Sequence, residues 1–90
     1  LIKISYTITA YYYGLETAYV MINCEMGSES SIIEKIKPIQ GVKEVVGVFG
    51  NYDVLVKIQS ANVDEIRQTI IANIRRLDKI RCTTTLMCAN

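Results

Sequence analysis

Histidine is missing from this chain altogether. That excludes Ser–His–Asp triads, histidine general bases and His-ligated zinc. A charge excess is also lacking: ten Lys and Arg face nine Asp and Glu, leaving a net charge of +1. Proteins that grip nucleic acid through its phosphates usually carry a clear basic surplus, so direct DNA or RNA binding is not expected. Cysteine is sparse, and its three residues, Cys24, Cys82 and Cys88, are odd in number and without metal-ligand spacing. This argues against a disulfide scaffold and for a reducing, cytoplasmic setting. Neither a metal nor another cofactor is expected. No apolar run approaches the ~20 residues of a membrane span. Lys3, Ser5, Thr7 and Thr9 interrupt the stretch where a signal peptide would be apolar, so no membrane partner is expected. Leu1 rather than Met opens the chain, as in a fragment or a processed protein.

What is present is apolar. Half of the ninety residues are hydrophobic and 21% are charged, which is too hydrophobic for disorder. A chain of this length forms one domain and buries roughly 60–70% of its unfolded surface. Apolar surface is therefore expected to remain for self-association.

Leu1 to Tyr13 alternates, with Ile2, Ile4, Tyr6, Ile8 and Ala10 on one side and Lys3, Ser5, Thr7 and Thr9 on the other. Period two predicts a strand, ended by Gly14. Ala18 to Glu25 predicts a second strand, nearly continuous in its apolar residues as a central strand would be. Gly27 breaks it. Ser28 or Ser31 then caps a helix, with Glu34 three residues beyond Ser31 as in a capping box. Ile32, Ile33, Ile36 and Ile39 fall near one face, and Pro38 ends the helix near Lys37. Val42 to Phe49 and Tyr52 to Ile58 are two further strands, and Gly50-Asn51 between them signals a hairpin. Asn62, with Glu65 three residues later, opens a second helix bearing Val63, Ile66, Ile70, Ile74 and Leu77. Ile80 to Cys88 is Thr-rich and β-favouring.

After the first strand the order is β-α-β-β-α-β, the ferredoxin-like plan. The expected fold class is α+β with an extra N-terminal strand and both helices on one face of the sheet. The other face is expected to carry Tyr19, Met21, Val45, Phe49, Leu55 and Met87, too apolar to sit bare in water. A second copy of the chain covering it gives a dimeric α+β barrel. Cys24, Cys82 and Cys88 share the parity of Ile22, Ile80 and Leu86. They are expected to face the helices as small reduced hydrophobes, with Cys24 and Cys82 near each other on neighbouring strands.

The residues A-Y-V-M-I-N-C-E, followed by a helix and then G-V-K-E-V-V-G-V-F-G-N-Y-D-V-L-V-K-I, resemble the effector-binding domain of the Lrp/AsnC (feast/famine) family, often called RAM. The most specific piece is the G-x-Y-D turn at Gly50, Asn51, Tyr52 and Asp53. The Thr-rich ending I-R-C-T-T-T-L-M is also similar to the family's last strand. The resemblance covers Ala18 to Met87. Full regulators of this family carry an N-terminal helix-turn-helix, and Leu1 to Gly14 is strand-like and too short to be one. The resemblance thus implies residues 18–90 as an effector-binding and oligomerising module, with residues 1–17 a hinge-like extension or a tail.

It further implies a homodimer, with dimers joining into a ring, and a small amino acid held near Gly50, Asn51, Tyr52 and Asp53. A zwitterion needs donors for its carboxylate and an acceptor for its ammonium; a glycine-opened loop beside an Asp supplies both. The same four residues also make an ordinary hairpin turn, and the two roles are compatible. Thr83 and Thr85 share a face with Arg81 and Met87. They are either plain β-formers or contacts for a ligand at a subunit interface. Arg67, Arg75, Arg76, Lys79 and Arg81 make the end of the second helix basic, which suits the helix macrodipole more simply than a phosphate patch. Tyr11, Tyr12 and Tyr13 suit packing on a neighbour. The implied output is transcriptional or metabolic regulation through Lrp/AsnC-type partner regulators. Two alternatives stand beside it: an enzyme of the dimeric α+β-barrel kind, for which no acid–base pair stands out, and a purely structural oligomerisation domain.

Overall fold

The computed structural model describes residues 15–89. The strand expected over Leu1 to Tyr13, and the tyrosines at its end, lie outside these residues. The described elements run β1 (Glu16–Cys24), α1 (Glu29–Ile36), β2 (Val42–Gly47), β3 (Val54–Ser60), α2 (Val63–Thr69), a π turn (Ile70–Ile74) and β4 (Ile80–Met87). The four strands form one antiparallel sheet in the order β2-β3-β1-β4. This is the expected ferredoxin-like α+β arrangement.

Alternation along the central strands builds the core. Ala18, Val20, Ile22 and Cys24 of β1 are buried, as are Val54, Val56 and Ile58 of β3. Register places Val20 beside Val56 and Ile22 beside Val54. Ile32 and Ile36 of α1, Ile66 of α2, and Ile70 and Ile74 of the π turn close over this face. Burying each such side chain is worth about 1.5–3 kcal/mol.

The π turn is compatible with the isoleucine spacing. At 3.6 residues per turn, side chains four apart drift by about 40° per step around an α-helix. Ile66, Ile70 and Ile74 are four apart, yet all three are buried. A wider turn, closed by the Arg75 N–H donating to the Ile70 carbonyl at 2.8 Å, counters that drift and keeps Ile74 in the core.

The helix starts differ from each other. Asn62 behaves as the sequence predicts, its Oδ1 accepting from the Glu65 N–H at 2.9 Å. Asn62→Ala should therefore cost about 1 kcal/mol, read from the urea midpoint with an unchanged m-value. At α1 the expected capping box does not form. Ser28 occupies the cap position, but its hydroxyl donates to the Glu25 carbonyl, and Ser31 already lies inside the helix. The connection from α1 to β2 needs glycine: Gly41 has φ +94°, and a Cβ there would sit 3.3 Å from the Gln59 carbonyl oxygen.

Three expectations about faces are corrected. Leu86 and Cys82 lie opposite Tyr19 and Asn23, on the face away from the helices, whereas Thr83, Thr85 and Met87 align with Ile22, Val20 and Ala18 on the helix side. The reason is a bulge: Ile80 pairs with Cys24 and Cys82 with Asn23, leaving Arg81 as an extra residue. One inserted residue flips every later side chain. Cys24 is thus buried while Cys82 is exposed and Cys88 half-buried, so Cys24 and Cys82 sit near each other in register but on opposite faces. In β2, Val45 aligns with Val56 and packs on the core, and Val46 takes the open face beside Leu55.

The open face therefore carries Tyr19, Met21, Val46, Leu55 and Leu86. Val46 and Leu86 are among the most exposed large hydrophobics. Among the described residues, no helix is long and apolar enough to cross a membrane, and no group of three or more His, Cys, Asp or Glu could hold a metal.

Candidate functional site

The hairpin between β2 and β3 is longer than a two-residue turn. It spans residues 48–53 and folds back against the end of β1. The Val48 N–H donates to the Asp53 carbonyl, and the Asp53 N–H to the Ile22 carbonyl, each at 2.9 Å. Asp53 Oδ2 accepts from the Cys24 N–H at 2.9 Å, which joins the loop to the last residue of β1. Asn23 Nδ2 donates to the Asn51 carbonyl at 2.7 Å. Tyr52 Oη and Thr84 Oγ1 lie 3.4 Å apart, tying the loop to β4 on the open face. Gly50, at φ +110°, turns the tip with open space around it.

These bonds give the loop two distinct parts. Its base is fixed by Asp53 and Asn51, while its tip is presented to solvent: Phe49 is wholly exposed, and Gly50 and Asn51 are exposed. The Gly50 and Asn51 N–H groups make no hydrogen bond within the described residues, so they are available as donors. Asp53 is half-buried and spends one oxygen contact on Cys24. A carboxylate offers about four acceptor positions, so capacity remains for a cation. Donors, a carboxylate and an apolar sheet thus meet at one end of the molecule.

The six residues singled out in the sequence do not form one site. Gly50, Asn51, Tyr52 and Asp53 are together. Thr83 and Thr85 lie on the helix side of β4, across the sheet from Tyr52. The threonine that meets the loop is Thr84, which the sequence reading passed over, as it did Asn23. The bulge at Arg81 explains the first omission. Asn23 carries a weak signal, since it is the polar residue interrupting an apolar strand.

The model of the Lrp/AsnC ligand binding domain matches residues 17–90. The chain belongs to this family. It is 36% identical over 69 residues to a homocitrate synthase of Saccharolobus solfataricus, a match that covers 76% of this chain and 15% of the enzyme. It is 32% identical over 74 residues to an uncharacterized HTH-type transcriptional regulator of Pyrococcus furiosus, covering 79% of this chain and 49% of the regulator. The chain thus spans only a part of the curated relatives it matches. The crystal structure of FFRP-DM1 superposes with a TM-score of 0.78 at 30% identity, covering 82% of this chain and 99% of that one. As a Lrp/AsnC ligand-binding domain, the chain is a regulatory module of the kind found in transcription regulators.

Proposed function

We propose that this Lrp/AsnC domain binds a small amino acid at the Gly50–Asp53 loop, at an interface between subunits that pack through their open sheet faces. The observation that carries the reading is the loop itself. The Gly50 and Asn51 N–H groups, without a hydrogen bond among the described residues, and the anchored Asp53 carboxylate stand together at the rim of an apolar sheet. The N–H groups suit a carboxylate and Asp53 suits an ammonium. Tyr19, Met21, Val46, Leu55 and Leu86 supply the surface that a second copy would cover. Binding at such an interface biases the balance of assembled states by differential affinity.

Two relatives support a regulatory output. One is named as an HTH-type transcriptional regulator and the other as a homocitrate synthase, and this module corresponds to about half of the regulator and to 15% of the enzyme. A domain recurring in proteins of such different kinds is best understood as a portable sensor whose output depends on its partner. Here the output is transcriptional or metabolic control through partner regulators. The enzyme's own chemistry is not carried over.

The test is thermal unfolding with each common amino acid in turn. A ligand at about 100 times its Kd adds about 2.7 kcal/mol, a rise in Tm on the order of ten degrees for a domain of this size. Asp53→Asn keeps an acceptor for the Cys24 N–H but removes the charge. It should leave the unliganded Tm nearly unchanged and abolish the response. An unchanged response in Asp53→Asn would contradict the site, and indifference to every amino acid would favour a purely structural oligomerisation domain.

A further inference from the structure

On the opposite side of the sheet, a cavity of about 700 Å³ opens between the second helix with its π turn and β4, the edge strand of the described sheet. This volume lies within the usual range of small-molecule sites, about 300–1,000 Å³. Its wall combines Arg67, Arg75 and Arg81 with apolar side chains such as Ile71 and Met87 and with the threonines at 83 and 85. Among the described residues, none that lines it is acidic. In a chain of net charge +1, three guanidinium groups around one hollow of mixed polar and apolar lining are a marked local excess. Arg67 is 3.7 Å from Asp64, in an exposed pair. Arg75 and Arg81 form no ion pair among the described residues.

The helix macrodipole explains cations at the end of a helix, and so accounts for Arg75. It does not account for Arg81, which lies on β4 and comes to the same cavity by a different device. Without the bulge, strand alternation would put either Ile80 or Arg81 on the helix side, not both. With it, Ile80 packs on the core and Arg81 still lines the cavity. The π turn lies on the facing wall, and its closing bond is made by the Arg75 N–H. Between these two irregularities Lys79 takes a positive φ of 72°. Two departures from regular backbone thus border one hollow, and both bulges and π turns are frequent at binding sites.

We infer that this cavity is a second ligand site, selective for a small amphipathic anion: a carboxylate or phosphate head held by Arg75 and Arg81, with a short apolar chain against Ile71 and Met87. With no acidic side chain in the wall among the described residues, the ammonium of a free amino acid would find no carboxylate there and would lie beside guanidinium groups, so the site differs in chemistry from the Gly50–Asp53 loop. It also lies on the other face of the sheet and does not depend on the proposal made for that loop.

The test is a ¹H–¹⁵N NMR titration of the whole chain with octanoate, octyl phosphate, octanol and inorganic phosphate. Octanoate or octyl phosphate should give saturable shifts at the amides of Ile71, Thr83 and Thr85, and the stronger of the two identifies the head group. Octanol and inorganic phosphate, each lacking one half of the ligand, should bind at least tenfold more weakly. The double variant Arg75→Gln, Arg81→Gln should keep the wild-type spectrum elsewhere and lose at least tenfold in affinity, and Asp53→Asn should bind as wild type does. Equal binding of octanol and octanoate, shifts centred on Met21 and Leu55, undiminished binding by the double variant, or no saturable shift with either anion would each overturn the inference.

Discussion

Replacing Met21 with glutamate should leave the chain folded and make it monomeric. Met21 lies on the open face of β1, in register with Leu55 on one side and Thr84 on the other. It is only half-buried in the single chain, so a charged side chain there remains in contact with water and the core is untouched. In a dimer joined through these faces the same side chain is enclosed. Burying an unpaired carboxylate costs several kcal/mol, and a two-fold interface meets that cost on both subunits. Association should weaken on the order of 10⁴-fold or more. Sedimentation equilibrium at micromolar concentration reports the mass, and far-UV circular dichroism reports the fold. An undiminished dimer of Met21→Glu would show that the open face is not the interface.

The neighbouring substitution Ile22→Ala should behave in the opposite way. Ile22 is fully buried between the central strands and the helices. Its truncation removes three methyl or methylene groups and leaves a cavity in a core whose other members, Ala18 and Cys24 apart, are β-branched and do not collapse freely. The expected loss is about 2–5 kcal/mol, a large part of the total of about 5–15 kcal/mol available to a small domain. Urea unfolding should show a much lower midpoint with a similar m-value. Subunits that remain folded should still associate. A loss below about 1 kcal/mol would mean that this position is not packed as described. The contrast between adjacent residues rests on period two alone: one side chain faces the core and the next faces the surface proposed for assembly.

Much of this architecture was legible in the sequence because its signals are redundant. β1 and β3 are nearly continuous apolar runs of β-forming residues, as central strands are, Asn62 with Glu65 marks the start of α2, and Pro38 and Gly41 bracket the end of α1. The G-x-Y-D turn lies where the structure has its hairpin. The faces of the outer strands were not legible, for two reasons. Val42, Val45 and Val46 give β2 apolar residues of both parities, so alternation cannot choose a face. In β4 the parity counted from Ile80 is correct at Ile80 and reversed from Cys82 onward, because Arg81 is inserted between them. No local composition marks that bulge; it arises from pairing with β1. The site was legible to the same degree. Gly50 to Asp53 is contiguous in sequence and stayed together, whereas Thr83 and Thr85 depended on the parity of β4 and moved to the other side of the sheet. The π turn was hidden as well, because the four-residue spacing of Ile66, Ile70 and Ile74 equally fits the apolar stripe of a regular α-helix.

The central claim joins two things, association through the open sheet face and an amino-acid response through the Gly50–Asp53 loop. Light scattering on a sizing column, run with and without a pool of the common amino acids, tests both together. The account predicts a dimer or a larger ring for the wild-type chain. Its mass or melting point should change with one amino acid, and that change should be absent from Asp53→Asn. A monomer at every concentration would contradict the interface, and an assembly indifferent to all amino acids would contradict the sensor.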